Sequence, residues 1–112
     1  NDAVLALVES ERTDPRPRAL HRTFRGARGF GAWLDAMDRH PKSVNVGSYL
    51  GATTVRAYAV GQRAGAPNAA ELDTMRRVVD DAMRDGAVGL ATALIYPPGS
   101  YATTAELTAM VG

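Results

Sequence analysis

Residues 88–107 read VGLATALIYPPGSYATTAEL: an apolar run, a pair of prolines with a tyrosine on either side, then a helix start. Val88, Leu90, Leu94 and Ile95 supply the apolar side chains of an inner strand. Gly89, Ala91 and Ala93 leave room for neighbours on both faces, the pattern of a parallel strand covered by helices. Tyr96 stands at the strand exit. Pro97 and Pro98 stiffen the backbone there, and Gly99 is read as free to take a positive φ, so the turn should hold the phenol within a narrow range of orientations. Thr103 and Glu106 have the spacing of a capping box for a following helix, with Leu107 as its first apolar contact. Parallel α/β proteins place their chemistry where strands end, which makes Tyr96 the first candidate for a working side chain.

The segments before this stretch read as the rest of a βα unit. Asn68 and Glu71 form a second capping box, and Leu72, Met75, Val78, Val79, Ala82 and Met83 form one apolar stripe, which predicts a helix over 69–85 stopped by Gly86. Only Gly86 and Ala87 separate it from the strand, so an earlier strand, this helix and the 88–95 strand are expected as a right-handed crossover with parallel strands. The earlier strand is SVNVGSYL, residues 43–50, with Val44 and Val46 on one side and Asn45 and Gly47 on the other. Residues 51–67 read as a long connection in which Thr53 caps a short helix running through Val60. Phe30, Trp33, Leu34 and Met37 recur at helical spacing over 30–40, and Pro41 ends that run. Residues 1–29 read as irregular and loop-rich, with Arg16, Arg18, Arg22, Arg25 and Arg28 forming a solvated basic surface. Asp80, Asp81 and Asp85 fall on a solvent face of the 69–85 helix.

Composition places the chain among globular proteins: 46% hydrophobic, 22% charged and a net charge of +1 give no reason for disorder and no call for nucleic acid or membrane as partner. Nothing in it approaches the ~20 apolar residues needed to cross a bilayer, and no basic stretch followed by an apolar one marks a secretion signal within these residues. A cytoplasmic location is expected. With no cysteine, thiolate metal sites within these residues are excluded. The histidines, His21 and His40, fall in a loop and at a helix end, and no His-x-His pair occurs, so these residues supply no recognisable metal-ligand set.

The run GLATALIYPPGSYATTAEL resembles a signature of the N-acyl-D-amino-acid deacylases, the D-aminoacylase branch of the amidohydrolase superfamily, in which a GLSTGLIYPPG-like strand and turn is followed by YA and a helix. The likeness continues upstream in order. ELDTMRRVVDDAMRDGAVGL takes the place of the preceding helix, SVNVGSYLGATTVRAYAVG is similar to an NVA-S-L-V-G-H-G-T-L-R block, and FGAWLDAMDRHP to a helix of the F-x-x-Y-L-D-A-L type. It covers about residues 31–111. One departure stands out: Gly51, Ala52 and Thr53 occupy the place of a frequent Gly-His-Gly, so no role of that histidine carries over.

The resemblance implies an α/β fold, a partial (β/α)8 TIM-barrel segment with parallel strands and crossover helices. Such a barrel needs about 250 residues, so the 112 here are expected to be one piece of a longer enzyme cut at both ends, a single unit in which 30–112 form the βα repeats. It further implies hydrolysis of the amide bond of N-acyl-D-amino acids by metal-activated water, with zinc held by residues outside this segment and the remainder of the polypeptide as partner. Tyr96 would then donate a hydrogen bond to the developing oxyanion, and Tyr101 would line the acyl or side-chain pocket. A cyclic-amide hydrolase of the dihydroorotase or hydantoinase kind shares barrel and metals, but the YPPGxYA turn speaks against it. A non-catalytic α/β interaction fragment is the alternative from another class.

Overall fold

The computed structural model describes residues 28–112; the basic run up to Arg25, the loop reading of the N-terminal segment and His21 lie outside them. Helix α1 spans Gly29–Arg39. Phe30 and Trp33 meet one turn apart with their rings tilted by 52° and 6.0 Å between centroids, and His40 turns extended before Pro41, as a residue preceding proline must. Lys42 returns its ammonium to the carbonyls of Met37 and Asp38, satisfying acceptors that a helix end leaves open.

Strands β1 (Leu50–Gly51) and β2 (Leu90–Ala91) pair in parallel, Leu50 opposite Leu90 and Gly51 opposite Ala91. The ladder extends one step back, through Val88 N–H to Ser48 O (3.0 Å) and Leu50 N–H to Gly89 O (2.9 Å). The parallel pairing agrees with the sequence; the length of the strands does not. Residues 43–49 and 92–95 are not strand, and Val44, Val46, Val88, Leu94 and Ile95 are exposed. The reason is the partner: a strand persists only while backbone groups opposite can satisfy its own, and β1 ends at Gly51 because helix α2, Ala52–Ala59, begins at the next residue. Gly51 is the N-cap of α2 and no side chain caps it, so Thr53 lies inside the first turn instead of in front of it.

Helix α3 spans Ala69–Arg84 behind the complete capping box read from the sequence: Glu71 N–H donates to Asn68 Oδ1 (2.9 Å) and Asn68 N–H donates to Glu71 Oε2 (2.7 Å). Gly86 follows with φ +106°, a conformation costly for any residue with a Cβ. Helix α4, Thr104–Val111, closes the described chain. Ala52, Val55 and Val60 from α2 and its end, Met75 and Val79 from α3, and Met110 from α4 make the core, with Leu50, Leu72, Val78, Leu90 and Leu107 at its margin. Met75 is fully enclosed, and burying such a side chain contributes about 1.5–3 kcal/mol. Met83, assigned to the same stripe, is exposed.

Asp85 corrects the sequence reading most sharply. Its side chain is 2% exposed. One oxygen accepts from Gly31 N–H (2.9 Å) and the other meets Arg28 Nε (2.9 Å), which ties α1 to the end of α3. Gly31 permits the approach, since a Cβ there would lie 2.9 Å from the carboxyl carbon. Asp80, by contrast, is exposed and paired with Arg84 one turn on, as a solvated face predicts.

Candidate functional site

The chain between β2 and α4 forms a compact turn with Tyr96 at its crest. Ser100 N–H donates to Tyr96 O (3.0 Å), Tyr101 N–H to Pro98 O (3.2 Å) and Ala102 N–H to Gly99 O (3.0 Å), winding Gly99–Tyr101 into a single 3₁₀ turn. The Pro97–Pro98 bond is cis. Pro98 and Gly99 are buried, whereas the Tyr96 side chain points outward at 71% exposure and its hydroxyl has no hydrogen-bond partner among the described residues. Tyr101 is 37% exposed. Both tyrosines therefore sit on the turn that follows the parallel strand, Tyr96 beyond a strand that ends at Ala91 and not directly at its exit, with the Tyr96 phenol open to something outside the described residues.

Gly99 serves the turn differently from the sequence expectation. Its φ is not positive; the positive-φ glycines are 61, 65, 86 and 89. What it supplies is close approach: a Cβ at this position would lie 2.7 Å from Ala93 O and press into the Thr53 hydroxyl. Thr53, in the first turn of α2, is thus the surface on which the Tyr96 turn rests. Its Oγ1 also reaches Ala93 O at 3.5 Å, the outer limit of a hydrogen bond.

The far end of the turn is anchored by the same helix. Thr103 Oγ1 accepts from Glu106 N–H (3.1 Å), the first half of a capping box. The reciprocal half is missing, because the Glu106 carboxylate is engaged elsewhere: Arg56 Nη1 donates to both its oxygens, at 2.6 and 2.5 Å. Arg56 is 1% exposed. Its Nη2 donates to Gly65 O (2.6 Å) and, at 3.5 Å, to Arg63 O, while Nε is buried without a partner. Arg63 continues the chain of contacts to Ala66 O and to Glu71, whose pKa is lowered first by that guanidinium hydrogen bond and next by the Asn68 N–H. Sequence reasoning passed over Arg56 and gave Glu106 the local role of completing the Thr103 capping box. One signal was present: Arg56 falls one turn after Ala52 and next to Val55, on the face that must be buried, where a charge is kept only with a partner.

For a metal, the described residues offer little. No three His, Asp or Glu side chains lie together among them, and His40 is exposed at the end of α1; zinc requires three or four such donors around one point. The described residues do not form a zinc site. Among the described residues, no helix is long and apolar enough to cross a membrane.

No family model matches the chain, and no solved structure does. Three curated proteins of Alcaligenes xylosoxydans xylosoxydans are similar to it. A D-aminoacylase is 36% identical over 78 residues, 70% of this chain and 16% of its own length. An N-acyl-D-aspartate deacylase is 38% identical over 78 residues, with the same two shares, and an N-acyl-D-glutamate deacylase 36% identical over 75 residues, 67% of this chain and 15% of its own. The chain thus spans about one-sixth of the length of these relatives. Over about two thirds of its residues or more the chain is thus similar to an internal part of D-aminoacylases and N-acyl-D-amino-acid deacylases.

Proposed function

We propose that the chain is one wall of a (β/α)8 barrel in a zinc-dependent hydrolase that cleaves the amide bond of N-acyl-D-amino acids, and that Tyr96 works on the substrate. The observation that carries this reading is the Tyr96 turn: a phenol without a partner among the described residues, on the turn that follows a parallel strand, in a chain similar to a D-aminoacylase and two deacylases. The exposed apolar side chains support the barrel. Val44, Val88, Leu94 and Ile95 flank a two-stranded sheet with no further strand beside it among the described residues, and apolar exposure on this scale fits surfaces that neighbouring barrel elements cover.

In this proposal the phenol of Tyr96 donates a hydrogen bond to the acyl oxygen as negative charge gathers on it, and Tyr101, five residues on along the same turn, lines the pocket for the acyl group or the amino-acid side chain. Zinc would be held by portions of the polypeptide outside the described residues, and the 112 residues alone would not turn over substrate. Removal of one oxyanion donor costs about 3 kcal/mol, roughly 10²-fold in kcat. The test is Tyr96→Phe in the full polypeptide, assayed on N-acetyl-D- and N-acetyl-L-amino acids with and without a chelator. A fall of that size on the D-substrates at unchanged metal content is expected. Undiminished turnover would remove Tyr96 from the chemistry, and no deacylation of either enantiomer by the parent would remove the activity.

A further inference from the structure

We propose that helix α2 is the positioning element for Tyr96, acting through Thr53 and the buried Arg56–Glu106 pair, so that the aim of the phenol is set by this helix and not by the strand that precedes it. The inference rests on the proposed role of Tyr96 and adds residues to that site.

The geometry points this way because Tyr96 has no anchor of its own: its side chain is exposed and its hydroxyl unpartnered among the described residues, so its orientation follows from the backbone of residues 92–103. Strand β2 holds that backbone only as far as Ala91. The side-chain hydrogen bonds that reach the turn and the Glu106 carboxylate from elsewhere in the described fold come from one face of α2, while α3 packs against α4 through the core, at Leu107 and Met110. Thr53 meets Ala93 and Gly99 on the near side of the turn. Three residues along the helix, on the same face, Arg56 takes the Glu106 carboxylate on the far side.

A free Glu106 would complete the capping box by reaching back to the Thr103 N–H. Its diversion to Arg56 gives up that local bond for one across 50 residues of sequence, which fixes the start of α4, and with it the second half of the turn, against α2. Arg56 is itself held by the Gly65 carbonyl, so the clamp is braced from the loop between α2 and α3. The pair is enclosed on both sides, with Glu106 also buried, and water does not screen it as it would a surface pair.

The test uses the full polypeptide with labelled tyrosine, the Tyr96 resonance being assigned by its loss in Tyr96→Phe. Glu106→Gln, which removes the charge but leaves the Thr103 cap, and Thr53→Ala, which leaves the buried pair intact and keeps the variant folded, should each shift the Tyr96 signal and speed amide exchange at residues 99–103. Amides of α3 should keep their protection. In the same variants kcat should fall by up to about 10²-fold, the loss expected when a reacting group moves by ~1 Å, with KM little changed. Arg56→Lys should recover part of the effect that Arg56→Met produces. An unmoved Tyr96 resonance in folded Thr53→Ala and Glu106→Gln overturns the inference, as does a uniform loss of protection across α3 and α4. If Tyr96→Phe keeps full turnover, the functional reading fails while the resonance still decides the clamp.

Discussion

Asp85 offers the sharpest single test of how α1 is attached. By sequence it is the third aspartate on a charged helix face, and substitution of a solvated aspartate changes stability by about 0.5 kcal/mol or less. In the fold its carboxylate is enclosed and accepts the Gly31 N–H at 2.9 Å. A hydrogen bond to a charged group contributes about 1.5–3 kcal/mol, whereas the ion pair to Arg28, whose side chain is 83% exposed, adds at most about 1 kcal/mol. Asp85→Ala should therefore cost about 2–3 kcal/mol and Arg28→Ala less than about 1 kcal/mol. Asp85→Asn, which keeps one acceptor for Gly31, should fall between them. Gly31→Ala brings a methyl carbon to 2.9 Å from the Asp85 carboxyl carbon and should cost about 1–3 kcal/mol through crowding. Urea denaturation measures the totals, and native-state hydrogen exchange should show the loss first in α1, beginning at the Gly31 amide, because that helix is tied to α3 through this residue. Asp85→Ala within about 0.5 kcal/mol of the parent would refute the docking role.

The buried pair gives a prediction of opposite character. Arg56→Met should destabilise by about 3–5 kcal/mol by stranding the Glu106 carboxylate, and adding Glu106→Leu should recover most of it, since an apolar pair of similar volume often replaces a buried ion pair at little cost; an additive double variant in urea melts would contradict this. For Glu71 the sign follows from its lowered pKa: ionised and hydrogen-bonded to Arg63 and Asn68, it stabilises the fold above the ordinary carboxylate value of 4.5, and that contribution is lost as the pH falls through the lower folded value. Stability of the parent should thus decline below about pH 4.5 more steeply than that of Glu71→Gln, as thermal melts between pH 3 and 7 would register.

What the sequence made legible was local. The helix from Ala69, its capping box, the stop at Gly86, the helix before Pro41 and the parallel relation of the two strands are written in spacing and in the chemistry of single turns, and they stand as read. The position of Tyr96 on the turn after the strand was equally readable. The errors share a cause: each required knowing what lies across the fold. Strand length depends on a partner that ends at Gly51, the duty of Glu106 on an arginine 50 residues away, the burial of Asp85 on a glycine amide 54 residues away. Periodicity reports which face of an element is apolar and nothing of which polar side chain is recruited across a contact. Gly99 shows the same limit from the other direction, for it was read as a residue of free φ, whereas its missing side chain serves the close approach of Thr53 and Ala93 O.

The stretch joining α2 to α3, Gly61 to Pro67, has the glycine, alanine and proline content of a dispensable surface connection. It is not one. The carbonyls of Arg63, Gly65 and Ala66 are each held by an arginine guanidinium, and Arg63 also grips the first turn of α3. Tolerance to added or removed residues is decided by whether backbone groups are engaged and not by how mobile the composition looks. Lengthening this bend would pull three acceptors off their donors at once, so an insertion here would loosen the hold of α2 on the start of α3.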